Sequence, residues 1–176
     1  HMNKEQSLVL LGFETVPLKD PDRYTLEVLS SVLSGYSGRL FAELRSKDPR
    51  AYALGCFNKA ALDKGFFVFY VATTKESVDA VRTTILDEIR RIRKDGISED
   101  ELVYAKRELV SGRLIAEQSN SFYSFTSATD ELYGLGYDTL YKYGSRIDAV
   151  TKDDVQRAAQ KYLNPDEHAE VTITPQ

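Results

Sequence analysis

"AYALGCFNKAALDKGFFVFYVAT", Ala51 to Thr73, is the stretch on which the reading of the fold turns. Two apolar, aromatic-rich runs flank "DKG", the pattern of a β-hairpin, with Gly65 expected to supply the special backbone angle of the turn. Working outward, "LVLLGFE" (Leu8–Glu14) is a short apolar run with the length of a buried strand. "KDPDRYTLEVLSSVLSG" then opens a helix, with Asp20 as N-cap and Pro21 at its first position. Leu26, Leu29 and Leu33 fall on one face of that helix, and Gly35 ends it. Ser37 is placed to cap a second, shorter helix whose Leu40, Phe41 and Leu44 point to the core, and Pro49 bars it from running further.

Beyond the hairpin, Val78, Val81, Ile85, Ile89 and Ile92 keep the helical period, and Gly96 stops that helix after a basic last turn. "SEDE" is a capping box, Ser98 with Glu101, opening a helix to about Glu117. Gln118 to Val150 reads as helical but broken by Gly134, Gly136 and Gly144. Thr151 caps a last helix to about Tyr162, and "NPDEH" turns into the strand "AEVTIT". Strands from both ends of the chain enclosing helices imply an α+β fold, one mostly antiparallel sheet with helices packed on it. His1-Met2 reads as a cloning scar, and residues 3–176 as one domain without repeat, linker or low-complexity tract.

The 176 residues are enough to bury about 70% of the unfolded surface. With 42% hydrophobic and 28% charged residues the composition is that of an ordinary globular protein, and a net charge of -4 argues against nucleic acid. No window approaches the ~18 apolar residues of a membrane span. Cys56 is the only cysteine and reads as a small buried residue on a strand. It leaves the compartment open, periplasmic or cytoplasmic for a bacterial protein.

Little in the chain looks catalytic. Of two histidines, His1 belongs to the scar and His168 sits alone in an acidic turn. There is no H-x-x-E-H, H-E-x-x-H or Cys/His cluster, no Ser-His-Asp set, no phosphate-binding loop and no Rossmann glycine pattern. The expectation is therefore no metal and no catalytic residue within this chain. Glu99, Asp100 and Glu101 read as a solvated first turn favoured by the helix dipole. Tyr133, Tyr137, Tyr141 and Tyr143 read as cover for a helix–sheet seam or for a surface meeting another domain, with a ligand platform as the alternative.

One stretch remains, "SGYSGRLFAELRSKDPRAY", Ser34 to Tyr52. A helix ending in a Gly/Ser break, then "SGRLFAELR", a loop and "AY" entering a hairpin, resembles the pitrilysin/insulinase family of zinc metallopeptidases, which includes the mitochondrial processing peptidases. Gly38, Arg39, Leu40, Phe41, Leu44, Arg45, Ala51 and Tyr52 carry that match. "LGFETVPLKDPDRYTLEVLSSVLSG", "DGISEDELVYAKRELVSGRL" and "VTKDDVQRAAQKYLNPDEHAEVTITP" resemble the family's segments before and after it, in the right order.

The resemblance implies a later, metal-free domain that closes a substrate chamber. Zinc and an H-x-x-E-H helix would lie upstream in the same polypeptide or in a partner subunit, with a peptide as substrate. It places Arg45 and Tyr52 as the pair reaching toward the facing active site. A phenol can donate to the oxyanion of peptide hydrolysis, and a guanidinium suits a substrate carbonyl or carboxylate. Gly35, Tyr36 and Gly38 become substrate-channel candidates. The residues taken alone admit another reading, an arginine favouring a helix dipole and a tyrosine that packs. Two departures from the family pattern, "SKDPRAY" and bulky Tyr36 within "SGYSG", keep a noncatalytic scaffold or assembly role open.

Overall fold

The computed structural model describes residues 6–35, 37–46, 51 and 53–175, without the side chains of Arg45 and Ser46. Strand β1 (Ser7–Thr15) is followed by helix α1 (Asp22–Ser34) and a short helix α2 (Arg39–Phe41), which runs into a π-helical turn at Ala42–Ser46. The hairpin strands are β2 (Ala53–Lys59) and β3 (Gly65–Thr73). Five helices come next: α3 (Val78–Asp95), α4 (Glu99–Ala116), α5 (Asn120–Leu132), α6 (Tyr143–Asp148) and α7 (Lys152–Tyr162). Strand β4 (Ala169–Ile173) closes the order.

The sheet runs β2-β3-β1-β4 with every pairing antiparallel, so the expected hairpin forms and the last strand returns beside the first. Strand alternation sends Val9, Leu11, Phe13, Phe67, Phe69 and Val71 to the helix-covered face, none more than 3% exposed. Against them lie Leu26, Leu29 and Leu33 of α1 and Ile85, Ile89 and Ile92 of α3, all fully buried.

The opposite face has no helix of the described residues on it. Its rows follow from the register: Phe57 beside Val68, Gly12 and Ala169; Gly55 beside Tyr70, Leu10 and Val171; Ala53 beside Ala72, Leu8 and Ile173. Charge appears only at one end, where Lys64 pairs with Glu14 at 2.7 Å.

Several local expectations are corrected. Gly65 does not have a positive φ; among the described residues only Gly96, Gly134 and Gly136 do. Gly65 is required for space, since a Cβ there would meet the Val16 carbonyl at 2.5 Å and the Lys59 carbonyl at 2.7 Å. Gly144 lies inside α6 and breaks nothing. Gly38, not Ser37, precedes the first residue of α2, and Phe41 is 40% exposed while Leu40 and Leu44 are buried. Leu40 and Leu44, four residues apart, share the inward face, and Phe41 falls beside it. Asp20 caps α1 from one residue further out than expected, its carboxylate accepting from the Asp22 amide at 2.8 Å. The expected Ser98/Glu101 capping box is present, and Thr151 caps α7 as expected, in the structure through a second box with Asp154.

Candidate functional site

The turn between α1 and α2 is built by close backbone contact. At Gly35 a Cβ would meet the Glu108 carboxylate at 2.1 Å and the Ser31 carbonyl at 2.5 Å; at Gly38 it would meet the Leu33 carbonyl at 2.6 Å. Both glycines are therefore demanded by the chain's own packing, which folds the turn back on the end of α1. Ser30 and Ser34 on α1 donate to the Cys56 carbonyl of β2 at 3.0 and 2.9 Å, fixing the helix against the strand that follows the motif.

Arg39 then locks the start of α2. Its guanidinium forks onto Glu101 of α4, with Nε to Oε1 at 2.5 Å and Nη2 to Oε2 at 2.9 Å. It also donates to Glu88 of α3 at 3.1 Å and to the Gly96 carbonyl at 3.0 Å. The bond from Arg39 holds the Glu101 carboxyl down to about 2. Glu88, 3% exposed, is instead raised by its burial, which outweighs the pull of Arg39 and Arg91. Three helices meet on this one cation.

Sequence reasoning gave Arg39 no role beyond a motif letter, and it placed Glu101 in a merely solvated turn; the structure corrects that. A signal was present. Glu88 falls on the apolar stripe of α3 between Ile85 and Ile92, where a carboxylate needs a cation brought from elsewhere.

From this anchor the chain passes through the π-helical turn that contains the Arg45 backbone, and the described residues resume at buried Ala51 and β2. Tyr36, Tyr52 and the side chain of Arg45 lie outside the described residues. Beside the α1–α2 turn, a cleft of about 600 Å³ separates it from α4, walled by Val32, Tyr104, Ala105 and Ile115. Glu108 projects there, accepting from Ser31 at 2.8 Å.

The remaining candidates resolve plainly. Tyr143 is half-buried and donates to Glu27 at 2.8 Å, whereas Tyr137 and Tyr141 are 66% and 68% exposed. Burial pushes the Cys56 thiol up to about 12, so it is inert near neutrality. His168 stands 4.0 Å from Glu170, whose carboxylate is already engaged by Arg82 at 2.8 Å. Among the described residues no three His, Cys, Asp or Glu side chains gather as a metal site requires, so they do not fit a zinc ion. No described helix is long and apolar enough to cross a membrane.

Residues 1–109 match the family model of the peptidase M16 inactive domain. An uncharacterized zinc protease of Rickettsia felis is 30% identical over 168 residues, covering 91% of this chain and 39% of that protein. Among solved structures, a protease from Helicobacter pylori superposes with a TM-score of 0.88 at 22% identity, over 99% of this chain and 42% of the other. The peptidase M16 inactive domain from Pseudomonas fluorescens gives 0.88 at 23% identity, again over 99% and 42%. The chain thus spans about two-fifths of the length of the curated relative and of both structures.

Proposed function

We infer the function from the family to which the chain belongs, the inactive domain of the M16 peptidases, whose curated relatives are named zinc proteases. In our reading this domain is the metal-free lobe that closes the substrate chamber of a zinc endopeptidase. Arg45 and Tyr52 hold the peptide and stabilise the oxyanion as the scissile carbonyl is attacked. The H-x-x-E-H lobe and its zinc lie elsewhere in the parent polypeptide or in a partner subunit, where the metal supplies the activated water.

The observation that carries this reading is the Arg39 anchor. A residue that reaches substrate across a chamber must sit on backbone that does not drift, because misplacement by about 1 Å can cost ~10²-fold in rate. Arg39 ties the segment leading to Arg45 to α3 and α4 at once, and the serines of α1 tie down β2, the strand that Tyr52 precedes.

The test is turnover of a peptide by the parent enzyme carrying Arg45→Ala or Tyr52→Phe. Loss of one preorganised donor predicts a fall of about 10²–10³ in kcat, with the fold intact by circular dichroism. Unchanged turnover sinks the assignment. A parent assembly that has no H-x-x-E-H and never cleaves peptide makes the domain a scaffold instead.

A further inference from the structure

Helix α5 has no buried residue, yet one of its faces is turned inward. Phe122, Thr126 and Asp130, spaced four apart, are half-buried and line a cavity of about 310 Å³ rather than a packed core. Arg23 and Glu27 of α1, Leu109 and Arg113 of α4, Leu140 just before α6 and Tyr143 at its first position complete the lining that matters here. A void of this volume lies at the lower end of the range for small-molecule sites. It shares no residue with the cleft beside the α1–α2 turn.

The charges around the cavity balance, two arginines against two carboxyls, but they are not spent on one another. Arg113 lies over the rings of Phe122 and Tyr143, 4.8 and 4.9 Å from their centres, and its Nε donates to Glu117 at 2.8 Å. Its two terminal nitrogens meet no acceptor among the described residues. The Asp130 carboxylate accepts no hydrogen bond among them either, and burial raises its pKa against the pull of Arg23 and Arg113. Glu27 has one oxygen taken by the Tyr143 hydroxyl at 2.8 Å, and its carboxyl too is raised by burial. Arg23 is committed elsewhere, to the Leu18 carbonyl at 2.8 Å and the Tyr24 hydroxyl.

We propose that this cavity binds a free α-amino acid as its zwitterion. The carboxylate sits on the fork of Arg113, the ammonium on Asp130 and Glu27, and an apolar side chain against Leu109, Phe122 and Leu140. A guanidinium already held by two aromatic rings gives up little freedom on meeting a carboxylate, and its planar fork matches both oxygens. An ammonium brings three donors to carboxyls that lack them and restores the charged form that burial disfavours. Each half of the ligand is thus called for by different side chains. A simple anion leaves Asp130 and Glu27 unanswered, and a simple amine leaves Arg113 unanswered; polar groups enclosed without partners are costly. The inference rests on this cavity alone and not on the roles of Arg45 and Tyr52.

The experiment is an NMR titration of the 176-residue chain with L-leucine. It runs beside isoamylamine, which lacks the carboxylate, and 4-methylpentanoate, which lacks the ammonium. Leucine is expected to bind with a Kd below about 1 mM, and each half-ligand at least ~10-fold more weakly, the worth of one charge-assisted hydrogen bond or more. Asp130→Asn disturbs no hydrogen bond of the described fold and is expected to weaken leucine at least ~10-fold. Arg113→Gln, on the other side of the ligand, should do the same, with the fold of both variants checked by circular dichroism. The absence of any leucine-dependent shift at about ten times that Kd overturns the proposal. So does a half-ligand that binds as tightly as leucine, which would make the site one for a plain amine or a plain anion. Wild-type affinity in Asp130→Asn overturns it as well, because leucine would then be bound elsewhere. No readout here involves turnover, so the result is separate from that of the Arg45 and Tyr52 variants.

Discussion

Charge clusters flank helix α1, one at its start and one just beyond its end on α2, and the two differ in kind. At its start, Asp22 faces Arg157 at 2.8 Å, Lys161 at 3.5 Å and the Tyr162 hydroxyl at 2.6 Å, with both cations about half exposed. Just past its end, Arg39 is 13% exposed and its partner Glu88 is 3% exposed. Both clusters hold a carboxyl near 2, Asp22 at one end and Glu101 at the other. What separates them is the number of charges taken out of water. A solvated pair loses little when broken, whereas a buried one strands its partner. The protein has put the stranding kind beneath the motif and the solvated kind at the far end.

The largest effect should therefore come from Arg39→Ala. It takes from Glu88 the more enclosed of its two cations, leaving only half-exposed Arg91 at 3.3 Å, and frees one side of Glu101, a loss of about 3 kcal/mol, the low end for broken buried pairs. At ~2–4 °C per kcal/mol for a chain of this size, the thermal midpoint should drop by roughly 6 °C or more. A loss under about 1 kcal/mol in denaturant titration would put the two ends of α1 on the same footing and dissolve the contrast.

Between the ends sits Glu27, whose pKa is raised by burial and partly restored by the Tyr143 hydroxyl at 2.8 Å. Tyr143→Phe removes that donor and should cost about 1–2 kcal/mol at neutral pH. The sign with pH is fixed. Losing the hydrogen bond raises the folded-state pKa further, so the penalty grows toward high pH and fades as acid protonates Glu27. Urea titrations at several pH values check this, and a pH-independent cost would mean that only packing was lost.

Much of this is legible in the sequence alone. The period of Val78, Val81, Ile85, Ile89 and Ile92 predicts the buried face of α3, and the runs about "DKG" predict the hairpin, because burial follows local periodicity. The anchor was not legible. Glu88 and Glu101 lie 49 and 62 residues from Arg39 along the chain, and no local rule pairs them. Gly65 was misread for a related reason: its need for space comes from Val16 and Lys59, which only the folded sheet brings near. For α5 the helical character from Gln118 was legible but its exposure was not: the helix has no buried residue. The site itself was named by family resemblance, since Arg45 and Tyr52 show no pattern of their own.

The smallest effect, and the sharpest complement to Arg39→Ala, is Arg157→Ala. Its guanidinium is 47% exposed, and Lys161 and Tyr162 still hold Asp22 in the variant, so the cost at pH 7 should be about 0.5–1 kcal/mol. Asp22 falls from 3.8 to about 2 in the folded protein, chiefly through Arg157. A lowered carboxyl pKa contributes stability that is fully present above the unfolded value and is lost as pH falls toward the folded one. The difference between wild type and variant should therefore hold steady above about pH 4 and close between pH 4 and pH 2. Glu101 unloads over a similar range in both proteins and cancels from the difference. Salt supplies the second discriminator: at 1 M the Debye length shrinks to about 3 Å, which should erase most of the Arg157 effect while leaving that of the enclosed Arg39 nearly intact. If salt weakened both equally, burial would not be what distinguishes the two ends of α1.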